Sequence, residues 1–212
     1  MPLAPDESLV VHIVDDDDSL RQGLGSLLRS VGLNARTYCS TQELIESECL
    51  DAPGCIVLDI RLPGMSGLDF QEQLVQLGIR LPVILMTGHG DIPMSVRAMK
   101  AGAVDFLAKP FRDQDMIDAV TVAISRDRTQ RERDSQSLAI VDRYATLSPR
   151  EREVMALVTA GKLNKQVAGQ LGLSEVTVKI HRGAAMRKMG ARSLADLVRM
   201  ADALKDAKGS GK

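Results

Sequence analysis

Five polar residues close or follow short aliphatic runs in this 212-residue chain: Asp15 and Asp16 after VVHIV, Asp59 after CIVL, Thr87 after VILM, and Lys109 after VDFLA. Open α/β sheets place their sites at the carboxyl ends of strands, so neighbouring strands would bring these groups to one rim. Three carboxylates, a hydroxyl and an ammonium suit cation-assisted phosphoryl transfer onto a carboxylate, with Asp59 as acceptor.

Electrostatics supplies the reason for a cation. Two unit charges 4 Å apart repel by about 4 kcal/mol at an effective dielectric of ~20. Asp15, Asp16 and Asp59 would not stay ionised together without a counterion, and Mg²⁺ accepts carboxylates, phosphate oxygens and waters as ligands. An arriving phosphoryl group adds roughly −1.5 to −2 of charge. Mg²⁺ and Lys109 would share its neutralisation, and Thr87 would donate a hydrogen bond to a phosphoryl oxygen. The run at 15–18 taken alone reads as a solvated acidic turn; the recurrence of Asp, Thr and Lys at three more strand ends argues against that. Asp17 and Asp18 stay with the turn, Asp18 helping to start a helix.

The elements that must position these groups alternate. Strands are expected near 10–14, 34–38, 55–59, 82–86 and 104–108, and helices near 19–31, 41–49, 66–77, 92–101 and from 112 onward. Ser19 and Ser40 read as N-caps, Gly32 and Gly78 as helix stops. Five such repeats predict a parallel sheet of five strands with helices on both faces. From 112 to 147 the pattern turns polar, and RDRTQRERDSQS shows no apolar stripe. It reads as the last helix running into a solvated helical linker; no sustained heptad supports a coiled coil.

A second compact unit starts at Leu147. Ser148, Pro149 and Glu151 form a capping box with proline at the first helical position. Helices follow at 149–160, 164–171, 175–189 and 193–206, with Gly161 and Gly172 ending the first two and Ser174 and Ser193 capping the next two. The tail KGSGK reads as too polar to fold. The expected organisation is therefore a first domain at 1–125, a linker at 126–146 and an all-α, four-helix domain at 147–207.

The formal net charge of −1 hides a division. Residues 1–125 hold 9 Lys+Arg against 18 Asp+Glu; residues 126–212 hold 18 against 10. The basic half points to a polyanionic partner, the plainer reading being charge that is merely solvated. Aromatic residues make up 2%, too few for a base-stacking surface. Cys39, Cys49 and Cys55 have neither metal-site spacing nor a disulfide pattern. No apolar run approaches the ~20 residues that cross a bilayer, and MPLAPDES does not resemble a signal peptide; the expected location is cytoplasmic, with no membrane partner.

At IVDDD, VLDIRLPGMSGL, ILMTGHGD and AGAVDFLAKPF the first 125 residues resemble the receiver domain of two-component response regulators. The resemblance implies a doubly wound, flavodoxin-like sheet, that Asp59 takes a phosphoryl group from a sensor kinase histidine, and that Asp15 and Asp16 join Asp59 in holding Mg²⁺. It also implies that Thr87 and Phe106 form a switch pair and that the Lys109–Pro110 bond is cis. Arg61 and His89 should rim the pocket. Phe106 also fits as an ordinary strand aromatic, and Arg61 and His89 as surface residues.

The segment from LSPREREVM to SLADLV resembles the LuxR-type helix-turn-helix domain. Its apolar residues Val154, Leu157, Val158, Val167, Leu171, Val178, Ala185 and Met189 recur at helical spacing, so each helix must bury one face. The turn Gly172-Leu173-Ser174 separates two short helices, and the helix from Glu175 would enter the DNA major groove. Thr177, Lys179, Ile180 and Arg182 are expected to face outward, with Arg187 and Lys188 further along. Asn164 and Lys165 would grip phosphate at the preceding helix start, and His181 fits packing better than a base contact. Gly183 departs from relatives that carry a basic residue there, so either the backbone approaches DNA closely or one base contact is missing.

Together the two halves resemble the NarL/FixJ subfamily, on its FixJ-like branch. That implies a transcription factor rather than an enzyme, with a sensor histidine kinase and double-stranded promoter DNA as partners, homodimerisation on phosphorylation, and RNA polymerase as a further partner the resemblance allows. Two other classes fit parts of the chain. A phospho-aspartyl phosphatase would share the pocket chemistry but leave the basic half unexplained. A phosphorylation-dependent adaptor would use the four helices to bind protein.

Overall fold

The computed structural model describes residues 9–47, 49–88 and 92–209, and the chain divides into two compact units, Met1–Gln130 and Arg131–Lys212. The first unit begins β1 (Val10–Val14), α1 (Asp18–Ser30), β2 (Ala35–Tyr38), α2 (Thr41–Ile45), β3 (Gly54–Asp59) and α3 (Gly67–Gln76). It continues β4 (Val83–Thr87), α4 (Ile92–Lys100), β5 (Asp105–Ala108) and the start of the long α5 (Asp113–Ala145), whose residues from Arg131 onward belong to the second unit. The sheet is parallel in every pairing, with order β2-β1-β3-β4-β5.

Strand residues alternate between two cores, as a period of two requires. Ile56 and Leu58 of β3, with Val83 and Leu85 of β4, pack against Phe70 and Leu74 of α3 and Ala98 of α4. Cys55 and Val57, with Ile84 and Met86, pack against Leu24 and Leu28 of α1 and Met116, Val120 and Ile124 of α5. Both faces are thus covered, which is why these strands read as continuous aliphatic runs. The expected doubly wound sheet is borne out. Chain order reverses between β1 and β3, the switch point beside which such sheets hold their ligands.

Local differences from the expectations have simple causes. The cap of α1 is Asp17, whose carboxylate accepts the Leu20 N–H at 3.1 Å, and not Ser19. Asp and Ser are about equal as caps, so residue type could not choose between them. Ser40 does cap α2. Helix α5 runs unbroken for 33 residues to Ala145, since a polar segment without glycine or proline has nothing to stop it.

The second unit holds α6 (Pro149–Thr159), α7 (Asn164–Leu171), α8 (Glu175–Met189) and α9 (Leu194–Gly209), the four-helix arrangement expected. The Ser148–Glu151 capping box is present. Ser174 caps α8, and Gly172 closes α7 at φ 65°, a conformation glycine adopts without strain. The last turn of α9 includes Lys208 and Gly209 of the tail expected to stay unfolded. Val154, Met155, Val158, Val167, Val178, Ala185, Met189 and Leu197 form the core, with Ile140 and Tyr144 of α5 packed on it. Arg143 donates to the Met189 carbonyl at the end of α8, and the Arg152 guanidinium lies 5.1 Å from the Tyr144 ring centroid.

Candidate phosphoryl-acceptor site and DNA-facing helix

In the first unit, adjacent strands β1 and β3 bring Asp15 and Asp59 side by side, with Thr87 closing β4 and Lys109 following β5. The Lys109 Nζ lies 2.7 Å from Asp15 Oδ2 and 2.7 Å from Asp59 Oδ2. The second oxygen of each carboxylate accepts a backbone N–H: Asp17 to Asp15 Oδ1 at 2.9 Å, and Arg61 to Asp59 Oδ1 at 3.1 Å. Asp15, Asp59 and Thr87 are buried, while Asp16 is exposed. One carboxylate oxygen from each of Asp15, Asp16 and Asp59 lies within 4.8 Å of the other two.

Burial raises the Asp15 carboxyl above its ordinary value, against the opposing hydrogen bonds from Lys109 and the Asp17 N–H. Burial alone would lower the Lys109 ammonium, but its hydrogen bonds to Asp15 and Asp59 prevail and hold it above its usual value. Lys109 therefore stays charged and offsets two carboxylates, Asp15 fully buried and Asp59 nearly so. Three hard oxygen donors in so small a space fit a divalent cation such as Mg²⁺.

The surrounding backbone fixes this rim. Lys109 N–H donates to the Thr87 carbonyl at 2.7 Å, and the Lys109–Pro110 bond is cis. Phe106 is half-buried against the same core as Met94. Arg61 is exposed at the edge; His89 lies outside the described residues.

Two positions that sequence reasoning missed help build the site. Gly67 opens α3 so close to the strand end that a Cβ there would stand 2.3 Å from the Asp59 carbonyl oxygen. Arg21 donates to the Asp15 carbonyl at 2.6 Å and also pairs with Asp18. A glycine in MSGL looks like an ordinary loop residue, and nothing local marks Arg21 as a strand-end clamp.

In the second unit, the phase of α8 sorts the expected DNA contacts. Val178, Ala185 and Met189 point into the core. Lys179, Ile180 and Arg187 are exposed, as is Lys165 on α7. Thr177 and Arg182, expected to face outward, are half-buried on the flanks. The Thr177 hydroxyl bonds Ser174 Oγ at 2.8 Å, and Arg182 reaches Asn164 Oδ1 at 3.5 Å. Lys188 is committed to Glu151 at 2.7 Å and to the Thr146 carbonyl, and this contact holds the Glu151 carboxyl below its ordinary value.

Residues 11–121 match the family of response regulator receiver domains, and residues 145–201 match bacterial regulatory proteins of the luxR family. The chain belongs to the response regulators. This regulator is 55% identical to Nodulation protein W of Bradyrhizobium diazoefficiens over 92% of its own length and 86% of that protein. It is 44% identical to the transcriptional regulatory protein FixJ of Azorhizobium caulinodans, over 92% of each. The solved structure of the response regulator StyR superposes with a TM-score of 0.80 at 43% identity, covering 92% of this chain and 98% of that one. The regulator is thus FixJ-like, a receiver domain followed by a LuxR-type DNA-binding domain. Among its described residues, no helix is long and apolar enough to cross a membrane.

Proposed function

We propose that Asp59 is the phosphoryl acceptor of this regulator and that its modification controls DNA binding by the second unit. The observation that carries this reading is the Lys109 ammonium, 2.7 Å from both Asp59 and Asp15. An Asp59 oxygen attacks the phosphorus of a sensor kinase phosphohistidine; the phosphorus–nitrogen bond breaks and the histidine leaves with the electron pair. Lys109 then turns from the carboxylates to a phosphoryl oxygen, and Thr87 donates its hydroxyl to another. Asp15, Asp16 and Asp59 would hold Mg²⁺, which when bound neutralises charge on the phosphoryl oxygens.

As Thr87 moves toward the phosphoryl group, it vacates space for the Phe106 ring, and the face formed by α4 and β5 changes. Val96 and Met99 are exposed on α4, apolar surface that supports pairing of two copies. Two copies would set two α8 helices on a roughly palindromic promoter site, a geometry compatible with recruiting RNA polymerase. Residues 1–125 act as receiver, 126–146 as linker and 147–207 as DNA-binding domain, in the cytoplasm. Lys165, Lys179, Ile180 and Arg187 make the DNA contacts, Asn164, Thr177 and Arg182 shape the approach, and Lys188 secures the scaffold.

Incubation with a small acyl phosphate tests the reading. The wild-type chain should gain the mass of one phosphoryl group, in a linkage that hydroxylamine cleaves, and Asp59→Asn should gain none. An equal gain in both would reject Asp59.

A further inference from the structure

The outward strip of α8 is apolar over its first turns, where a duplex would lie. Val178, Ala185 and Met189 define the buried side of this helix. At 100° per residue the opposite side is Val176, Ile180, Gly183 and Arg187. Val176 and Ile180 are 66% and 64% exposed, one turn apart, with no place in the core. Single exposed aliphatics are ordinary. Two in register on this strip, beside the exposed cations Lys179 and Arg187, are a patterned surface.

Gly183 completes the strip. A Cβ there would meet only the Arg187 guanidinium, at 3.5 Å, so the fold leaves room for a side chain that the sequence withholds. The bare backbone removes the bulk that would hold the helix off a surface, and short side chains such as valine and isoleucine can then reach it. In the major groove the apolar feature on a base edge is the thymine C5-methyl. Lys179 beside the strip and Arg187 at its C-terminal end match phosphates.

We propose that Val176, with Ile180, reads thymine methyl groups in the major groove, and that Gly183 permits the close approach this requires. Val176 would then be a specificity-determining residue. The inference rests on α8 being the groove-entering helix, and it names what that helix recognises.

The test uses the full-length protein treated with a small acyl phosphate and a duplex selected by it from a random-sequence pool. Each thymine of the selected duplex is replaced in turn by uracil, which removes only the methyl group. At one or two positions this should weaken binding about fourfold, the worth of one buried methyl. Val176→Ala should bind the thymine duplex several-fold more weakly and lose its sensitivity to uracil at one of those positions. Its salt dependence should match the wild type, whereas Lys179→Ala should lower the salt slope by about one phosphate contact. As Val176 lies outside the core, the variant should keep the wild-type circular dichroism. A selected duplex that tolerates uracil everywhere, or a Val176→Ala variant that keeps full sensitivity, overturns the inference while leaving α8 as the DNA helix. Failure to enrich any duplex would reject the DNA-facing role of α8 and the inference with it.

Discussion

Gly67 and Asp59 are in such close approach that a single added carbon on the glycine would press on the Asp59 carbonyl oxygen at 2.3 Å. The Gly67 N–H also donates to the Ile60 carbonyl at 2.9 Å, so the start of α3 is seated directly on the strand end that presents the acceptor. Gly67→Ala should destabilise the first unit by about 1–3 kcal/mol, the usual cost of overpacking, and should slow labelling by acyl phosphate. Gly23→Ala, in open space on α1, should instead be neutral or stabilising by up to about 1 kcal/mol. Urea unfolding of the two variants compares them directly; equal effects would contradict the packing argument.

The acidic cluster gives a prediction about metal. Asp16 is the exposed member of the three carboxylates, so removing its charge should leave the metal-free fold intact. Mg²⁺ at a hundred times its dissociation constant should stabilise the wild type by about 2.7 kcal/mol. Asp16→Asn should unfold like the wild type without Mg²⁺ and gain much less on its addition. An undiminished Mg²⁺ response would remove Asp16 from the site.

His12 supplies a pH dependence. It is buried in β1, its Nδ1 is 3.1 Å from the Tyr38 hydroxyl, and its Nε2 has no hydrogen-bond partner among the described residues. Burial, helped by the nearby Arg36, lowers it from 6.5 to about 4. Above the unfolded value the ring is neutral in both states and contributes no pH dependence. As pH falls through that value, the unfolded chain binds a proton that the fold refuses, so stability declines until the folded value is reached. Relative to His12→Phe, the wild type should lose up to about 3 kcal/mol across that window. Parallel stability curves for the two proteins would contradict it.

Lys179 and Lys188 should separate cleanly. Lys179 is free on the exposed side of α8, whereas Lys188 joins Glu151 of the α6 capping box. Lys179→Ala should weaken DNA binding and leave thermal unfolding unchanged. Lys188→Met should lower the melting temperature of the second unit and leave the salt slope of DNA binding unaltered. The reverse pattern would return Lys188 to the DNA surface.

Gly183 should show stability and function moving in opposite directions. Alanine there would make only ordinary contact with the Arg187 guanidinium and should stabilise α8 by up to about 1 kcal/mol, yet DNA affinity should fall because the added methyl holds the helix away. A gain in both would show that the backbone is not closely approached.

Much of this arrangement was legible in the chain because it is local. Strand ends at Asp59 and Thr87, the box at Ser148 and Glu151, and the turn at Gly172 each announce themselves within a few residues. What escaped depends on partners far along the chain. Lys188 meets Glu151 across 37 positions, and Gly67 matters only because β3 lies beneath it. The flanking positions of Thr177 and Arg182, and the outward position of Val176, needed only a stricter helical phase, one set by Val178, Ala185 and Met189. The choice of Asp17 over Ser19 as a cap turns on a boundary one or two residues wide, the scale at which helix ends blur.

The phosphatase alternative accounts for Asp15, Asp59 and Lys109 but gives α6 to α9 no task, whereas residues 145–201 match a DNA-binding family. The most direct test joins both units in one sample: intact mass and DNA affinity of the full chain are measured before and after acyl phosphate, for wild type and Asp59→Asn. The wild type should gain one phosphoryl group together with a change in affinity for its selected duplex, and Asp59→Asn should show neither. A wild-type chain whose DNA affinity is the same with and without the phosphoryl group, or a variant that responds as the wild type does, would contradict control through Asp59.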